Sequence, residues 1–198
     1  MKPAALLAGA CLLWVAGCAS SPDFVHPPPA SYRMLPPAAI DGVWAREGPD
    51  NGERVRVTRL EGGAVKFDFI HSADRETPLP GPLLGETVRF GELDWLVVDR
   101  RVLGAAFGDR YSGKAPYTLV QFALESDDRI CAIAPSARPF AEAVRAGRLA
   151  GTVDDSFKPW VRVVVSAAGE DVVRWWSTLP AADKVFAPPA ACFMRTGR

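Results

Sequence analysis

Few side chains in this 198-residue chain are equipped for chemistry, and their spacing limits what they can do. The four cysteines are Cys11, Cys18, Cys131 and Cys192, and the two histidines are His26 and His71. These six make no zinc-ligand spacing, so neither a metal nor another cofactor is expected. Nucleophilic catalysis needs a base within reach of the nucleophile. His71 is the one histidine in the region that reads as a folded domain, and its neighbour Ser72 does not make a dyad by adjacency alone. Neither Gly-x-Ser-x-Gly nor His-Glu-x-x-His occurs. Gly108-Asp109-Arg110-Tyr111-Ser112-Gly113-Lys114 fits the first seven positions of a P-loop. The eighth, which should hold a metal-binding hydroxyl, is Ala115. Pro116 and a strand pattern follow, where a phosphate site needs a helix N-terminus. The segment therefore reads as a loop between strands. Asp127-Asp128 and Asp154-Asp155 are adjacent carboxylates whose side chains diverge, so they read as turn residues. A glycosidase would need two carboxylates across a sugar, and no motif points to that arrangement. A Ser–Lys pair remains open, but no catalytic residue is assigned.

The most specific chemistry is at the N-terminus. Lys2 supplies a positive charge, and Ala4 to Ala16 is an unbroken run of apolar and small residues. That run is shorter than the ~20 residues a bilayer-spanning helix needs, and it suits the apolar region of a signal peptide. It ends in Leu13-Trp14-Val15-Ala16-Gly17-Cys18. Val15-Ala16-Gly17-Cys18 resembles the lipobox of bacterial lipoproteins. The resemblance implies cleavage after Gly17 and acylation of Cys18, which ties the chain to a membrane. One acyl chain holds only reversibly; the family attaches more than one. Ala19, rather than Asp, follows the modified cysteine. By the same resemblance this favours the outer membrane, facing the periplasm, over the inner one.

Composition agrees with a globular domain displayed there. Hydrophobic residues make up 48% and charged residues 23%, enough apolar material for a real core. Lys plus Arg and Asp plus Glu are equal at 23 each, and loss of the signal removes only Lys2. Near-neutrality argues against a nucleic-acid surface and gives no electrostatic reason to adhere to anionic lipid. Cys11 leaves with the signal and Cys18 carries lipid. The remaining pair, Cys131 and Cys192, sits in an oxidising compartment and reads as a disulfide; the alternative is two buried thiols.

Three segments follow from this: a signal peptide over 1–17, an acylated cysteine with a proline-rich linker over 18–39, and a single β-rich domain over 40–198. Pro22, Pro27, Pro28, Pro29, Pro36 and Pro37 punctuate the linker. As extended polyproline it could span roughly 60 Å, with His26 solvated and Tyr32, Met34 and Leu35 packing back on the domain. Strands are expected over 42–46, 53–60 and 65–69, with Asn51-Gly52 as a tight turn. Val65, Phe67 and Phe69 alternate with Lys66 and Asp68, as in a half-buried antiparallel strand. Further strands are expected over 86–90, 95–99, 117–124, 129–134 and 160–165. Trp95-Leu96-Val97-Val98 is apolar on both faces, so that strand should be covered on both sides. Residues 104–116 read as a loop. A helix capped by Ser136 should bury Phe140, Ala143, Val144 and Gly147. A second, capped by Ser166, should bury Val172, Trp175, Trp176 and Leu179. Arg54, Arg56, Arg100 and Arg101 read as solvated sheet surface. Cys192-Phe193-Met194 could add a last strand.

The fold class that results is α+β and β-rich: an antiparallel meander or partly closed barrel with two helices late in the chain. Gly42-Val43-Trp44 on the first strand resembles the Gly-x-Trp that opens lipocalins. The resemblance implies an eight-stranded barrel holding a small apolar ligand, and some bacterial lipocalins are outer-membrane lipoproteins. The helix after Ala134 departs from that family, and no second lipocalin motif is present. Three functions remain in order: an envelope binding or interaction module contacting an envelope protein, a lipocalin-like carrier, and, a poor third, an envelope hydrolase.

Overall fold

Alternation along the strands decides the architecture. In the computed structural model, which describes residues 21–47, 54–70, 81–106, 113–156, 161–184, 186 and 191–197, the strand Ala64–Ile70 turns Val65, Phe67 and Phe69 to one side and Lys66 and Asp68 to the other. With β1 as Asp23–Phe24, this strand is β4; before it come β2 (Gly42–Arg46) and β3 (Arg54–Arg59). After it come β5 (Leu83–Phe90), β6 (Leu93–Asp99), β7 (Tyr117–Ser126) and β8 (Arg129–Ile133). Each pairs antiparallel with the next from β2 to β8. The last strand, β11 (Ala191–Gly197), lies between β8 and β2, antiparallel to both, and closes the ring. The result is a closed eight-stranded antiparallel barrel rather than a partly closed one. Eight strands leave an interior that side chains can just fill. Here Trp44, Val55, Val57, Val65, Phe67, Leu83, Leu96, Val98, Val120 and Ile130 are among those that fill it.

A second layer packs outside the barrel. Between β8 and β11 the chain leaves for α2 (Ala137–Arg145), β9 (Gly151–Asp154), β10 (Arg162–Val165) and α3 (Gly169–Thr178). The outward side chains of β5, β6 and β7, Val88, Phe90, Trp95, Val97 and Leu119, meet Phe140 of α2 and Val172, Trp175 and Trp176 of α3. Trp95 and Val97 thus serve the outer core while Leu96 and Val98 serve the barrel, which is why β6 is apolar on both faces. The outer core is dominated by rings. Trp95 stacks on Phe90 at 5.0 Å and meets Trp176 edge-on at 5.4 Å. Phe140 stacks on Trp176 at 5.4 Å and takes Phe24 edge-on at 5.5 Å. The tryptophans of α3 therefore pack outside the barrel wall, not inside it.

The N-terminal segment differs from the expected spacer. β1 lies between β7 and β10, parallel to β10 and antiparallel to β7. Phe24 is only 2% exposed and belongs to the outer core. Pro22 and Pro28 are buried, and Arg33 bridges to Val88 at the end of β5 that β4 leaves unpaired. Proline richness was a fair sign of extended backbone, but an extended segment can also serve as an edge strand. Tyr32 packs against the outer core as expected, Met34 is half-buried, and Leu35 is 70% exposed.

Two further elements had no clear signal. Arg100–Ala106 forms a short helix, α1, inside the segment read as strand end and loop, so the described residues hold three α-helices rather than two. β9 pairs with β10 although Gly151-Thr152-Val153-Asp154 carries little apolar pattern. Helix α2 starts as expected, with Ser136 Oγ accepting from the Arg138 N–H at 3.3 Å. Helix α3 starts later than expected, after Ala168 rather than Ser166. Its buried face is Val172, Val173, Trp175 and Trp176, and Leu179 packs against the same cluster.

Cys131 and Cys192 face each other across β8 and β11 and are disulfide-bonded, with Cα atoms 4.1 Å apart. The bond joins the two strands from which the α2–α3 insertion leaves and returns.

Candidate binding site

The strand directions give the barrel two distinct ends. The β3–β4, β5–β6 and β7–β8 turns lie at one end, where β2 also starts. The N-terminal segment crosses that end before β2 begins and seals it. Met34 N–H donates to Thr87 O at 3.0 Å. The Thr87 hydroxyl lies 2.7 Å from Met34 O and 2.8 Å from Gly63 O, so a buried hydroxyl finds an acceptor on either side. Gly63 has φ +85°, and a Cβ there would stand 2.5 Å from Met34 O; only glycine lets the two backbones approach this closely. Arg59 binds Asp41 twice, N–H to Oδ1 and Nε to Oδ2, both at 2.7 Å.

Trp44 and Arg195 lie at the centre of the seal. The Trp44 indole N–H donates to Ile40 O at 2.9 Å. The Arg195 guanidinium lies 4.3 Å from the centre of the Trp44 ring, a cation–π geometry. It also donates to Asp41 O at 2.7 Å, to Asp127 O at 2.9 Å and to Ala39 O. One side chain from the last strand thus ties together the entry to β2 and the β7–β8 turn. Gly42 makes room for it, because a Cβ there would stand 2.7 Å from the Arg195 NH1 nitrogen. Alternation from Phe193 already places Arg195 on the inward face; that signal was present in the sequence, but an inward arginine looks out of place until its carbonyl partners are known.

Inside the seal is a recess of about 170 Å³, lined by Met34, Pro36, Pro37, Ile40, Thr87, Asp94, Trp95, Phe122 and Leu124. The lining is apolar apart from Thr87 and Asp94, and Asp94 is held by Arg89 at 2.5 and 2.9 Å. For scale, an apolar cavity of about 150 Å³ accepts benzene, whereas drug-sized ligands need roughly 300 Å³ or more. The recess therefore suits a single ring or a short apolar chain. A second, shallower groove of about 450 Å³ lies on the outer layer between the α2–β9 turn and α3, lined by residues including Arg148, Ser166, Asp171, Arg174 and Trp175.

The sequence candidates for chemistry are scattered. Asp127 and Asp128 form the β7–β8 turn, and Asp127 contributes its carbonyl to Arg195. Asp154 and Asp155 diverge: Asp154 accepts from the Ser156 N–H at 2.9 Å and Asp155 pairs with Arg145 at 2.6 Å. The Ser156 bonds hold the Asp154 carboxyl below its ordinary value. His26 is exposed. Lys114 precedes β7 rather than a helix. His71, Ser72, Asn51-Gly52, residues 108–112 of the P-loop lookalike, and Gly17 and Cys18 lie outside the described residues. Among the described residues, no three metal-ligating side chains converge, and no helix is long and apolar enough to cross a membrane.

No family model, curated protein or solved structure matches the chain. The barrel, its disulfide and the sealed end must therefore carry the functional argument themselves.

Proposed function

We propose that this protein is a bacterial envelope lipoprotein, cleaved after Gly17 and acylated at Cys18, that displays a β-barrel binding or interaction domain. The observation that carries the reading is a closed barrel sealed by the same N-terminal segment that follows the lipobox. The Cys131–Cys192 disulfide supports it, because such bonds persist in oxidising compartments such as the periplasm. Ala19 favours the outer membrane, facing the periplasm, and the domain's partner is then an envelope protein. No cofactor and no nucleic acid enter this reading. Cys18→Ala should move the protein from the membrane fraction to the soluble periplasm. If the variant still sediments with membranes, the lipid anchor is wrong.

A second reading is a carrier of a small apolar ligand. It is favoured by the apolar recess at the sealed end together with Gly42-Val43-Trp44 on the first barrel strand. Native mass spectrometry of protein taken from envelope extracts should then find a bound apolar molecule of ring or short-chain size. Leu124→Trp, which fills the recess, should abolish it. An empty protein of the mass expected from its sequence and acylation counts against the carrier.

A further inference from the structure

The position of β1 turns the anchor into an orientation. Four residue-to-residue steps separate Cys18 from Pro22, the first buried residue of the described chain. Fully extended, they span at most roughly 14 Å. Asp23 and Phe24 are then built into the sheet, Phe24 into the outer core and Asp23 against Arg100 at 2.5 Å. A lipid on Cys18 therefore has no long spacer between it and the domain. We propose that the domain lies directly on the bilayer, with the solvent face of the small sheet β1–β10–β9 turned to the lipid headgroups. This rests on Cys18 being the acylated residue.

Register identifies the face. Asp23 is opposite Val164, and Val164 is opposite Thr152, so these three side chains share one side of the small sheet. Phe24, Val163 and Val165 point the other way, into the outer core. Arg100 and Arg162 flank Asp23, and Asp154 is opposite Arg162. The face thus carries both signs of charge. It is suited to lie on headgroups without strong electrostatic adhesion, and the covalent tether supplies the contact. The far side follows from the ring. β1 joins the barrel at β7, and β3 is four strands from β7 in either direction. Arg54 and Arg56 on the outward face of β3 are exposed, and among the described residues neither has an ion-pair partner. They are therefore displayed away from the membrane, where a partner in the periplasm can reach them.

The test uses the full lipidated protein in vesicles of phosphatidylethanolamine and phosphatidylglycerol that carry a headgroup nitroxide quencher. A thiol-reactive fluorophore is placed at Thr152→Cys or at Arg56→Cys, both exposed positions. Cys131 and Cys192 are disulfide-bonded, so under non-reducing conditions they do not take the dye. Quenching should be several-fold stronger at position 152 than at 56. A Gly/Ser insert of about 20 residues after Ala19, spanning roughly 25 Å on average, should remove most of that difference. Equal quenching at the two positions, or stronger quenching at 56, in protein that sediments with the vesicles would overturn the orientation and leave the anchor standing. Protein that sediments equally with and without Cys18 would instead overturn the anchor, and the orientation with it.

Discussion

The molecule has two cores that share one wall, and they are built from different material. Inside the barrel, mainly aliphatic side chains, with Phe67 among them and Phe69, Phe122 and Phe193 at the margin, surround a single tryptophan, Trp44, whose N–H is bonded to Ile40 O and whose ring is covered by Arg195. Outside, Trp95, Trp175 and Trp176 pack with Phe24, Phe90, Phe140 and Phe186, and among the described residues the N–H groups of Trp175 and Trp176 have no partner. The barrel core is closed by hydrogen bonds at one end. The outer core depends mainly on area and ring geometry: the Trp95 N–H donates to Phe90 O at 3.2 Å, but the other two indole N–H groups have no partner among the described residues. The contrast indicates what each is for. A closed ring of strands satisfies its own backbone, so polar detail is needed only where the ring ends. The outer layer has no such closure and holds together by burying large rings.

The largest test of this comparison is Trp176→Ala. It opens a ring-sized void between α3 and β6 and should cost about 3–5 kcal/mol. Because Trp95 and Leu96 alternate between the cores on one strand, urea unfolding should remain a single transition at lower midpoint. Two transitions would mean that the cores are independent. Next is the disulfide, which links β8 and β11 across a sequence separation of 61 and so closes a loop around the whole insertion. Replacing both cysteines by alanine should cost about 4 kcal/mol by chain entropy, read from paired denaturation curves.

A finer test sets the tryptophans against each other. Trp44→Phe leaves Ile40 O without its donor and should cost about 1–3 kcal/mol beyond the lost area. Trp176→Phe removes a donor with no partner among the described residues, so its cost should be smaller despite a similar change in volume. If the outer substitution is the more damaging of the two, the contrast drawn between the cores is wrong.

The smallest effect concerns Asp23. Burial pushes its carboxyl above the ordinary carboxylate value, against the opposing pull of Arg100 and Arg162. The folded state therefore holds this proton more tightly than the unfolded chain does. The resulting stabilisation is fully present below the unfolded value of 3.8 and is lost as pH rises through the raised folded value. Relative to Asp23→Asn, the natural protein should gain stability as pH falls from neutral toward 4, measured by urea melts of the pair. Glu47 and Asp99 behave in the opposite sense: Arg129 holds Glu47 down, and Arg101 holds Asp99 down against its partial burial, so their contributions fade as pH falls.

Much of this fold was legible because β-strands record their faces with a period of two. Val65, Phe67 and Phe69 marked the inward face of β4, and Trp95 to Val98 marked a strand with a core on each side. The pairing of Cys131 with Cys192 followed from compartment and count. What could not be read were the features set by tertiary position. β1 is two residues long and paired on both edges, so no periodicity could reveal it. β9 has one apolar valine and owes its strand to β10. Closure of the ring depends on β11 entering between β8 and β2, a contact across the length of the domain. The sealed end was hidden for a related reason: Arg195, Asp41 and Arg59 look like surface charges until the N-terminal segment brings carbonyls and a carboxylate to meet them.

The parallel pairing of Asp23 with Val164 also sets an order of events. The first strand to emerge must wait for a partner made much later, and loop closure over that distance is slow to repay its entropy. Until β10 exists, the segment after Cys18 has no parallel neighbour to dock on. The segment around Asp23 and Phe24 therefore stays open until β10 is in place, and its mooring is a late step of assembly.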